Sequence, residues 1–365
     1  MATATTARRM LSLSDGIERT SVERAIAELR MGRPVLLESE GEAALVQSVE
    51  DLGRDEAERL DAMSVRQARL VLPAARLKRL GMERPHNGWI GLPTLDARRV
   101  ATLAFSMEAQ LDGSVRPTGR LDEAALELAR LALALPAVVV VPLPDGADAD
   151  SSVLRVTSAA IEGYRAASAR DLKIVGRAPV PLEDAAETEF VVFRGGEGLR
   201  DQVAVIVGAP DLAEPVTVRL HSACLTGDLF GSLKCDCGDQ LRFSVRWMAE
   251  HGGGILLYLD QEGRGNGIAN KIRAYKLQAE GYDTYDADEM LGFGPDQRRF
   301  DFAAEMLRQL GVTRVNLITN NPDKIAALQN SGLELVSHQR APGRMTAENS
   351  RYLASKRDRA GHLLG

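Results

Sequence analysis

The chain has 365 residues, of which 45% are hydrophobic and 26% are charged, and its formal net charge at pH 7 is −6. This length allows two domains with separate hydrophobic cores, and this composition is typical of globular rather than disordered proteins. The negative charge argues against broad binding to nucleic acid, but it leaves room for a local basic pocket that binds a small anion.

No segment of the sequence has the features of an export signal or a membrane span. The first fifteen residues lack the continuous apolar run of about 7–15 residues that a secretion signal contains. The longest apolar stretch, LALALPAVVVVPLP, is interrupted by Pro136 and Pro142 and is too short to span a bilayer. Together with three cysteines that we expect to be reduced, these features predict a cytoplasmic protein without a membrane partner.

The N-terminal half alternates helical and extended patterns. Residues 1–20 are predicted to be a flexible leader, and SVERAIAELRMG is predicted to be a helix with Ser21 as its N-cap and Gly32 after its end. PVLLES, RLVLP and AVVVVPL are predicted strands, and AARLKRLG and DEAALELARLALA are predicted helices. Helices between short apolar strands favour an α/β or α+β domain over residues 21–180.

A second domain is predicted over residues 181–365. Signals are weak over residues 144–190, and the stretch APVPLEDAAETE is typical of a junction. Beyond it, VAVIVGA, PVTVRLHS, GGILLYLD, RVNLIT and LELVS are predicted strands, and NKIRAYKLQAEG, RRFDFAAEMLRQLG and NNPDKIAALQNSG are predicted helices. Asn321 is the predicted N-cap of the last helix, with Pro322 at its first position. The predicted fold class is α/β (α+β), with two domains of mixed sheets and helices.

All three cysteines of the chain, Cys224, Cys235 and Cys237, lie within fourteen positions. Zinc binds thiolates, and a structural zinc site has four protein ligands, whereas a catalytic site leaves one position to water. Three interpretations are open: ordinary buried residues, a structural site completed by His221, and an open catalytic site. Unrelated cysteines would be scattered, and His221 ends a predicted strand only three residues before Cys224, so we favour the open site. Such an ion lowers the pKa of its bound water to about 7, which predicts metal-assisted hydrolysis.

Four segments resemble GTP cyclohydrolase II in order and spacing: RLHSACLTGDLFGSLKCDCGDQL, QEGRGNGIANKIRAYKLQAEGYDT, LGFGPDQRRF and LITNNPDK. The resemblance runs from about residue 185 to the C-terminus. That family opens the imidazole ring of GTP and releases formate and pyrophosphate, in the first committed step of riboflavin synthesis. The resemblance therefore implies GTP as substrate, one Zn²⁺ per chain, Mg²⁺ with the triphosphate, and a homodimer.

The resemblance also implies roles for individual residues. Tyr275 positions water for hydrolysis of the formyl intermediate, Asp296 accepts a proton, and Arg298 engages the α-phosphate. For Arg298 we favour electrostatic stabilisation over a covalent role, because guanidinium is a poor nucleophile. The implied metal ligands are Cys224, Cys235 and Cys237. The implied nucleotide-binding residues are Arg219, Leu220, His221, Ser222, Ala223, Gln240, Glu262, Gly263, Arg264, Thr284, Thr319 and Lys324.

Several of these residue types suit the chemistry by themselves. Arg219 presents a planar fork of donors to a phosphate. The glycine-rich stretch QEGRGNG follows a predicted strand, where exposed backbone N–H groups bind phosphates. Lys324 in the first turn of a helix opposes the helix dipole unless an anion is nearby. The Gln240 amide offers one donor group and one acceptor to the edge of guanine.

Simpler interpretations compete with these roles. Arg219 is alternatively a solvated surface arginine, and Asp296 and Arg298 are alternatively a surface salt bridge that contributes little. The polar face of the predicted helix NKIRAYKLQAEG is alternatively an ordinary amphipathic surface.

Three segments of the first half, SVERAIAELRMGRPVLLES, LVLPAARLKRLGM and DEAALELARLALALPAVVV, resemble 3,4-dihydroxy-2-butanone 4-phosphate synthase, but the residues of its active site are missing. The acidic metal-binding loop of that family is reduced to ESEGEAAL, which offers only Glu38, Glu40 and Glu42. These carboxylates alternate, so they are predicted to share one face of a strand. Leu121 stands in the place of the family's histidine and cannot transfer a proton. We therefore predict a degenerate domain without synthase activity.

The sequence as a whole predicts a zinc-dependent GTP cyclohydrolase II fused to this degenerate domain. One alternative is a cyclohydrolase for a different purine nucleotide, because Ala223 and Asn266 depart from the common family pattern. The other is a nucleotide-binding regulator or scaffold without turnover, which the intact cysteines, Tyr275, Asp296 and Arg298 disfavour.

Overall fold

The computed structural model describes residues 2–64, 68–111, 113–144, 152–196, 200–294, 297–350, 354 and 357–359. They divide into two compact units, Met1–Ala167 with Asp286–Pro295, and Ser168–Tyr285 with Asp296–Gly365. Each unit contains one seven-stranded sheet and helices. The predicted α/β (α+β) class with two domains is confirmed. The predicted limits, residues 21–180 and 181–365, stay predictions.

The first sheet is assembled from the aliphatic runs of the N-terminal half. Its strands are β1 (Val35–Ser39), β2 (Glu42–Ser48), β3 (Ala68–Leu72), β4 (Gly88–Leu92), β5 (Val115–Pro117), β6 (Val138–Pro142) and β7 (Arg155–Thr157). The helices of this half are α1 (Ala2–Arg30), α2 (Arg54–Met63), α3 (Ala74–Arg79), α4 (Ala97–Phe105), α5 (Arg120–Leu131) and α6 (Ser158–Arg170). The strand order is β5-β4-β3-β6-β2-β1-β7, and β1 is parallel only to β7. Leu121 is buried in the core that α5 forms with this sheet.

Helix α1 begins at Ala2 and so includes the segment predicted to be a leader, whose flexibility stays a prediction. The prediction of Ser21 as N-cap is wrong. Its Oγ donates a hydrogen bond of 2.6 Å to the carbonyl of Glu18, because the helix continues upstream of it. Gly32 follows the helix end with φ of 74°, which is the left-handed conformation that glycine favours.

The stretch ESEGEAAL forms a β-hairpin and not a single strand. The turn is made by Glu40 and Gly41, with φ of 49° and 87°, and the register pairs Ser39 with Glu42. Glu42 therefore lies on the face of Ser39, and Glu38 lies on the opposite face. The prediction that the three carboxylates share one face is wrong, because the chain reverses between them.

Arginines pair with two of these carboxylates. Arg155 Nη1 donates to Glu38 Oε1 at 3.2 Å, and Arg120 Nη1 donates to Glu40 Oε1 at 2.5 Å. Arg120 also binds both carboxylate oxygens of Glu162, each at 2.8 Å. Two of the three carboxylates that remain from the predicted acidic loop, Glu38 and Glu40, are thus engaged with guanidinium groups.

The second sheet is mixed. Its strands are β8 (Lys173–Pro179), β9 (Thr188–Arg194), β10 (Gln202–Val207), β11 (Val216–Ser222), β12 (Gly254–Leu259), β13 (Arg314–Ile318) and β14 (Glu334–Gln339). The helices are α7 (Leu225–Asp228), α8 (Cys237–Glu250), α9 (Ile268–Ala279), α10 (Thr284–Met290), α11 (Asp301–Gln309) and α12 (Pro322–Asn330). The strand order is β14-β13-β11-β12-β10-β9-β8.

Strands β11, β12, β13 and β14 are parallel neighbours, so their carboxyl ends share one edge of the sheet. Ligand sites in parallel sheets form at this edge. The segments that carry most of the predicted site residues follow β11, β12 and β13 and therefore meet there.

Two regions differ from the predicted elements. The weakly patterned residues 144–190 contain β7, α6 and β8 and the start of β9. Helix α11 begins at Asp301, so Arg298 and Arg299 lie in the preceding loop.

The cap of α12 is confirmed: Asn321 Oδ1 accepts from Asp323 N at 2.8 Å, and Pro322 is the first helical residue. Within the described residues, every helix is too short or too polar to cross a bilayer.

Candidate metal and nucleotide site

The three cysteines lie together after the end of β11. Cys224 is the N-cap of the short helix α7, and Cys237 begins α8 two residues after Cys235. Their Sγ atoms all lie within 4.8 Å of one another, and those of Cys224 and Cys235 are 3.6 Å apart. A Cβ on Gly227 would lie 2.8 Å from Cys235 Sγ and 3.0 Å from Cys224 Sγ. The glycine therefore leaves the space in which the thiols converge.

Among the described residues, this is the only group of three or more Cys, His, Asp or Glu side chains close enough to hold one ion. His221 is not a member of this group, and its Nε2 lies 3.0 Å from Asp228 Oδ2 and 3.1 Å from Oδ1. The interpretation as a structural site completed by His221 is therefore wrong. Three thiols without a fourth ligand among these residues fit a thiophilic metal ion with an open position.

The electrostatics of the cysteines favour a thiolate at Cys224. Hydrogen bonds with Cys235 and Cys237 lower the pKa of the Cys224 thiol well below its usual range, and the Lys271 ammonium acts in the same direction. The hydrogen bond with Cys224 raises the pKa of Cys235 to about 11. Metal binding needs the deprotonated form, so the cluster already presents one anionic ligand.

Asp228 anchors the backbone of Cys224. Its Oδ2 accepts hydrogen bonds from Cys224 N at 2.9 Å and from the Tyr258 hydroxyl at 3.0 Å, beside its contact with His221. The rings of His221 and Tyr258 stack with centroids 5.5 Å apart. Burial lowers the pKa of His221 and raises that of Tyr258, so both rings are neutral at pH 7. No local sequence pattern indicates a role for Asp228 or Tyr258, which come together only through the sheet.

A lysine and a glutamate lie on another side of Cys224. Lys271 Nζ donates to Cys224 Sγ at 3.1 Å and to Glu262 Oε1 at 2.8 Å. Glu262 Oε2 accepts from the backbone N–H of Leu225 at 2.5 Å. Burial by itself would lower the pKa of Lys271, but the neighbouring thiolate and carboxylate outweigh burial and raise it. Glu262, predicted to bind nucleotide, thus connects the loop after β12 to the cysteine segment.

Tyr275 lies one helical turn beyond Lys271 on α9. Its hydroxyl is hydrogen-bonded to Thr226, and Lys234 Nζ and Lys271 Nζ lie 5.0 Å and 5.6 Å from the ring centroid. Burial raises the pKa of Tyr275 to about 12. The phenol therefore stays protonated at neutral pH and can act as a hydrogen-bond donor beside the cysteines.

Arg219 is buried with 4% of its surface exposed, so the alternative of a solvated surface arginine is wrong. Its Nη2 donates to Gln240 Oε1 at 2.6 Å and its Nη1 to the Ile318 carbonyl at 3.1 Å. Gln240 Nε2 donates to Asp236 Oδ2 at 2.5 Å. Both ends of the Gln240 amide are thus occupied by protein groups. Burial lowers the pKa of Arg219 to about 10, which leaves it cationic at pH 7.

The glycine-rich segment after β12 forms a tight left-handed turn. Gly263 and Arg264 have φ of 61° and 60°, and the Arg264 guanidinium lies 4.2 Å from the centroid of the Tyr285 ring. Asn266, which departs from the family pattern, is buried, and its Oδ1 has no hydrogen-bond partner among the described residues. Its Oδ1 is therefore a buried acceptor beside the predicted nucleotide loop.

The ends of β11 and β13 contribute further predicted site residues. Lys324 Nζ donates to the Leu220 carbonyl at 2.6 Å, and Thr319 Oγ1 accepts from Asn321 N at 3.0 Å. Ala223 N donates to the carbonyl of residue 259 at 2.8 Å. The Ser222 Oγ is buried without a hydrogen-bond partner among the described residues.

Three predicted site residues remain. Thr284 is half-buried at the start of α10, and the Arg298 guanidinium lies 5.9 Å from the centroid of the Phe300 ring. Asp296 lies outside the described residues. A cavity of about 700 Å³ adjoins Arg298, and its charged lining residues are Arg298, Arg299, Arg308, Asp301 and Asp323.

Comparison with known proteins agrees with these features. Residues 173–340 match the family model of GTP cyclohydrolase II. GTP cyclohydrolase-2 of Xylella fastidiosa (strain Temecula1) is 47% identical over 350 residues, covering 94% of this chain and 87% of that protein. The riboflavin biosynthesis protein RibBA of Bacillus subtilis (strain 168) is 51% identical over 168 residues, covering 45% of this chain and 42% of that protein.

A solved structure of RibBX, a two-domain 3,4-dihydroxy-2-butanone 4-phosphate synthase from A. baumannii, matches with a TM-score of 0.34 and 19% identity, covering 88% of this chain and 99% of that one. The identity to the Xylella protein extends over most of both chains, and the family model covers the segment that holds the cysteine cluster. The chain therefore belongs to the GTP cyclohydrolase II family.

Proposed function

We propose that this chain hydrolyses GTP to 2,5-diamino-6-(5-phosphoribosylamino)pyrimidin-4(3H)-one, formate and pyrophosphate, with one Zn²⁺ on Cys224, Cys235 and Cys237. Membership of the family supports the GTP cyclohydrolase reaction and its place at the first step of riboflavin biosynthesis. The observation that carries the zinc assignment is the convergence of three Sγ atoms within 4.8 Å without His221 among them. A zinc ion held there supplies a water of lowered pKa and polarises the bond under attack.

The protein groups around the cysteines suit the remaining steps. The protonated Tyr275 hydroxyl can donate a hydrogen bond to the oxygen of the formyl intermediate or orient a water beside it. Arg219 and Lys324 are buried cations near the carboxyl edge of the sheet, where the resemblance expects the nucleotide. Their positive charge favours an anionic ligand such as a triphosphate, particularly where water is excluded.

Arg298 is proposed to engage the α-phosphate, and Asp296 is proposed to accept a proton. The cavity beside Arg298 has three arginines and two aspartates in its lining, and this excess of positive charge supports a phosphate partner for this arginine. We also propose that Mg²⁺ accompanies the triphosphate, since hard cations prefer oxygen ligands. A homodimer in the cytoplasm, without nucleic-acid or membrane partners, completes the proposal.

For the N-terminal half we propose a synthase-like domain that has lost its reaction. The supporting observations are the hairpin at Glu38–Glu42, the arginine partners of Glu38 and Glu40, and the burial of Leu121. A domain that keeps its core without a metal loop is suited to support assembly or stability.

The test follows formate, pyrophosphate and the pyrimidine product together, using purified chain with GTP and Mg²⁺, alongside metal analysis. We expect all three products from GTP and one zinc ion per chain. Products from another purine nucleotide only would favour the different-substrate alternative. Nucleotide binding without products would favour the regulator.

A further inference from the structure

Lys271 lies between the cysteine cluster and the Glu262 carboxylate. Its ammonium is 3.1 Å from Cys224 Sγ and 2.8 Å from Glu262 Oε1. The side chains of Lys271 and Glu262 are each only 11% exposed, so bulk water screens these contacts weakly. An ammonium in this position interacts with two anionic groups at once.

The position of the ammonium is enforced by its surroundings. Glu262 is itself held by backbone donors, from Leu225 N to Oε2 at 2.5 Å and from Gly263 N to Oε1 at 3.0 Å. Gly263 packs directly on the lysine, because a Cβ there would lie 3.1 Å from Lys271 Cβ. The loop after β12 and helix α9 therefore present Lys271 to Cys224 in a defined geometry.

Formal charges indicate what the ammonium does. Three thiolates and one Zn²⁺ carry a net charge of −1, and the Glu262 carboxylate adds another −1 beside them. The Lys271 cation reduces the total from −2 to −1 and lies between the two anions. In a buried setting, two uncompensated negative groups are strongly unfavourable.

We propose that Lys271 is a positioning residue for the metal site: it separates the zinc–thiolate centre from Glu262 and stabilises the bound ion through Cys224. This inference rests on the proposed zinc ion. It assigns Lys271 to the metal rather than to the nucleotide, and it makes Glu262 the residue that holds Lys271 in place.

The first measurement is zinc affinity, obtained by competition with a chromophoric chelator. Lys271→Met removes the charge and keeps an unbranched apolar side chain. We expect it to weaken zinc binding about 10–100-fold, as for other groups that support metal ligands. Lys276→Met is the matched control, an exposed lysine on the same helix, with an expected change of no more than about twofold. Cobalt substitution adds a spectroscopic readout, since the thiolate-to-metal absorption band should shift in Lys271→Met only.

Two further variants separate charge from packing. Lys271→Arg keeps the cation and should retain most of the zinc affinity, whereas loss equal to that of Lys271→Met would overturn the charge argument. Lys271→Met should weaken zinc binding less in a Glu262→Gln variant than in the parent, because the Glu262→Gln change has already removed one of the two anions. Additive effects would show that Glu262 does not act through Lys271.

Other outcomes are equally decisive. Zinc affinity and cobalt spectrum unchanged in Lys271→Met, with a raised KM for GTP, would make Lys271 a nucleotide contact and overturn the inference. If Lys271→Met is unfolded by circular dichroism, the Lys271→Arg and Glu262→Gln results decide. A parent chain that binds no zinc would overturn the proposed metal and this inference together. A zinc-binding parent with silent Lys271 variants would overturn this inference alone.

Discussion

The hairpin at Glu38–Glu42 and the cysteine segment at residues 224–237 both place potential metal ligands close together along the chain, but only the second brings them together in space. The hairpin register sends Glu38 and Glu42 to opposite faces, and Glu40 lies in the turn. The short helix α7 and the start of α8 instead return the chain so that three thiols converge. Spacing in the sequence is therefore informative only when the local turn is known.

The surrounding charges differ in the same way. Glu38 and Glu40 are each paired with an arginine through one carboxylate oxygen, and oxygens are the ligands that a hard cation would need. At the cysteines, Lys271 and the backbone donors around Asp228 and Glu262 support the thiols and leave them facing one another. A thiolate that accepts a hydrogen bond from a lysine can still bind a metal ion. A guanidinium bound to a carboxylate instead competes with a metal ion for that carboxylate.

Removal of one thiol should have the largest effect on the proposed metal site. Cys235→Ser should lose zinc and ring opening together, because a hydroxyl replaces a thiolate and the site loses both charge and geometry. Metal analysis and formate release measure the two effects. One zinc per chain retained in the variant, with normal turnover, would contradict a metal site on these cysteines.

The second change tests the space between the thiols. Gly227→Ala places a methyl group within 3.0 Å of two Sγ atoms, so we expect zinc affinity to fall by about tenfold or more, the scale of an overpacking cost of ~1–3 kcal/mol. Gly176→Ala is the control, since a Cβ at that position of β8 meets no atom within 4 Å. Equal zinc affinities in the two variants would remove the role of Gly227.

The third change concerns Arg298 and the cavity that it lines. Arg298→Lys keeps the charge but loses the planar donor fork, so we expect turnover to fall at least about tenfold, or ~1.4 kcal/mol in the barrier. Arg314→Lys is the control, because Arg314 forms an ion pair with Glu334 at 3.4 Å and does not line this cavity. Near-normal steady-state turnover of Arg298→Lys would leave Arg298 as a surface ion pair.

A subtler change separates two products of one reaction. Tyr275→Phe keeps the ring and removes the hydroxyl, so GTP binding should survive while formate released per pyrophosphate falls severalfold. Because the pKa of Tyr275 is about 12, the hydroxyl stays protonated through the neutral range, and the parent ratio should be flat from pH 7 to 9. The same formate-to-pyrophosphate ratio in variant and parent would argue against this role.

The N-terminal half should show no synthase activity. The pure chain should form no dihydroxybutanone phosphate from ribulose 5-phosphate and Mg²⁺. Removal of residues 1–167, which leaves β8 in the second sheet, should reduce stability or assembly without changing which nucleotide is used. Product detection by mass spectrometry checks the first expectation. Formation of dihydroxybutanone phosphate would show that the chain is bifunctional. It would contradict the conclusion that the hairpin at Glu38–Glu42, unlike the cysteine segment, has no catalytic metal.

Local patterns were sufficient for much of the fold. Aliphatic runs predicted strands such as β1, β6, β11 and β12, and glycine and proline signals predicted the C-terminal end of α1 and the start of α12, because these features depend on neighbours a few residues away. Elements with weaker apolar patterns, such as α6 and β8, were missed. The same locality explains the error at Ser21, where a capping residue type lies inside a longer helix.

The cysteine cluster was visible in the sequence because its ligands lie within fourteen positions. The groups that support it were not, since Tyr258 is 30 residues from Asp228 and Lys271 is 47 residues from Cys224. Only the parallel arrangement of β11 and β12 brings the loop after each strand to one edge of the sheet. Residue type and spacing thus identified the thiols, whereas the burial of Arg219, the partners of Gln240 and the lysine beside Cys224 depend on strand pairing between distant segments, which no local pattern encodes.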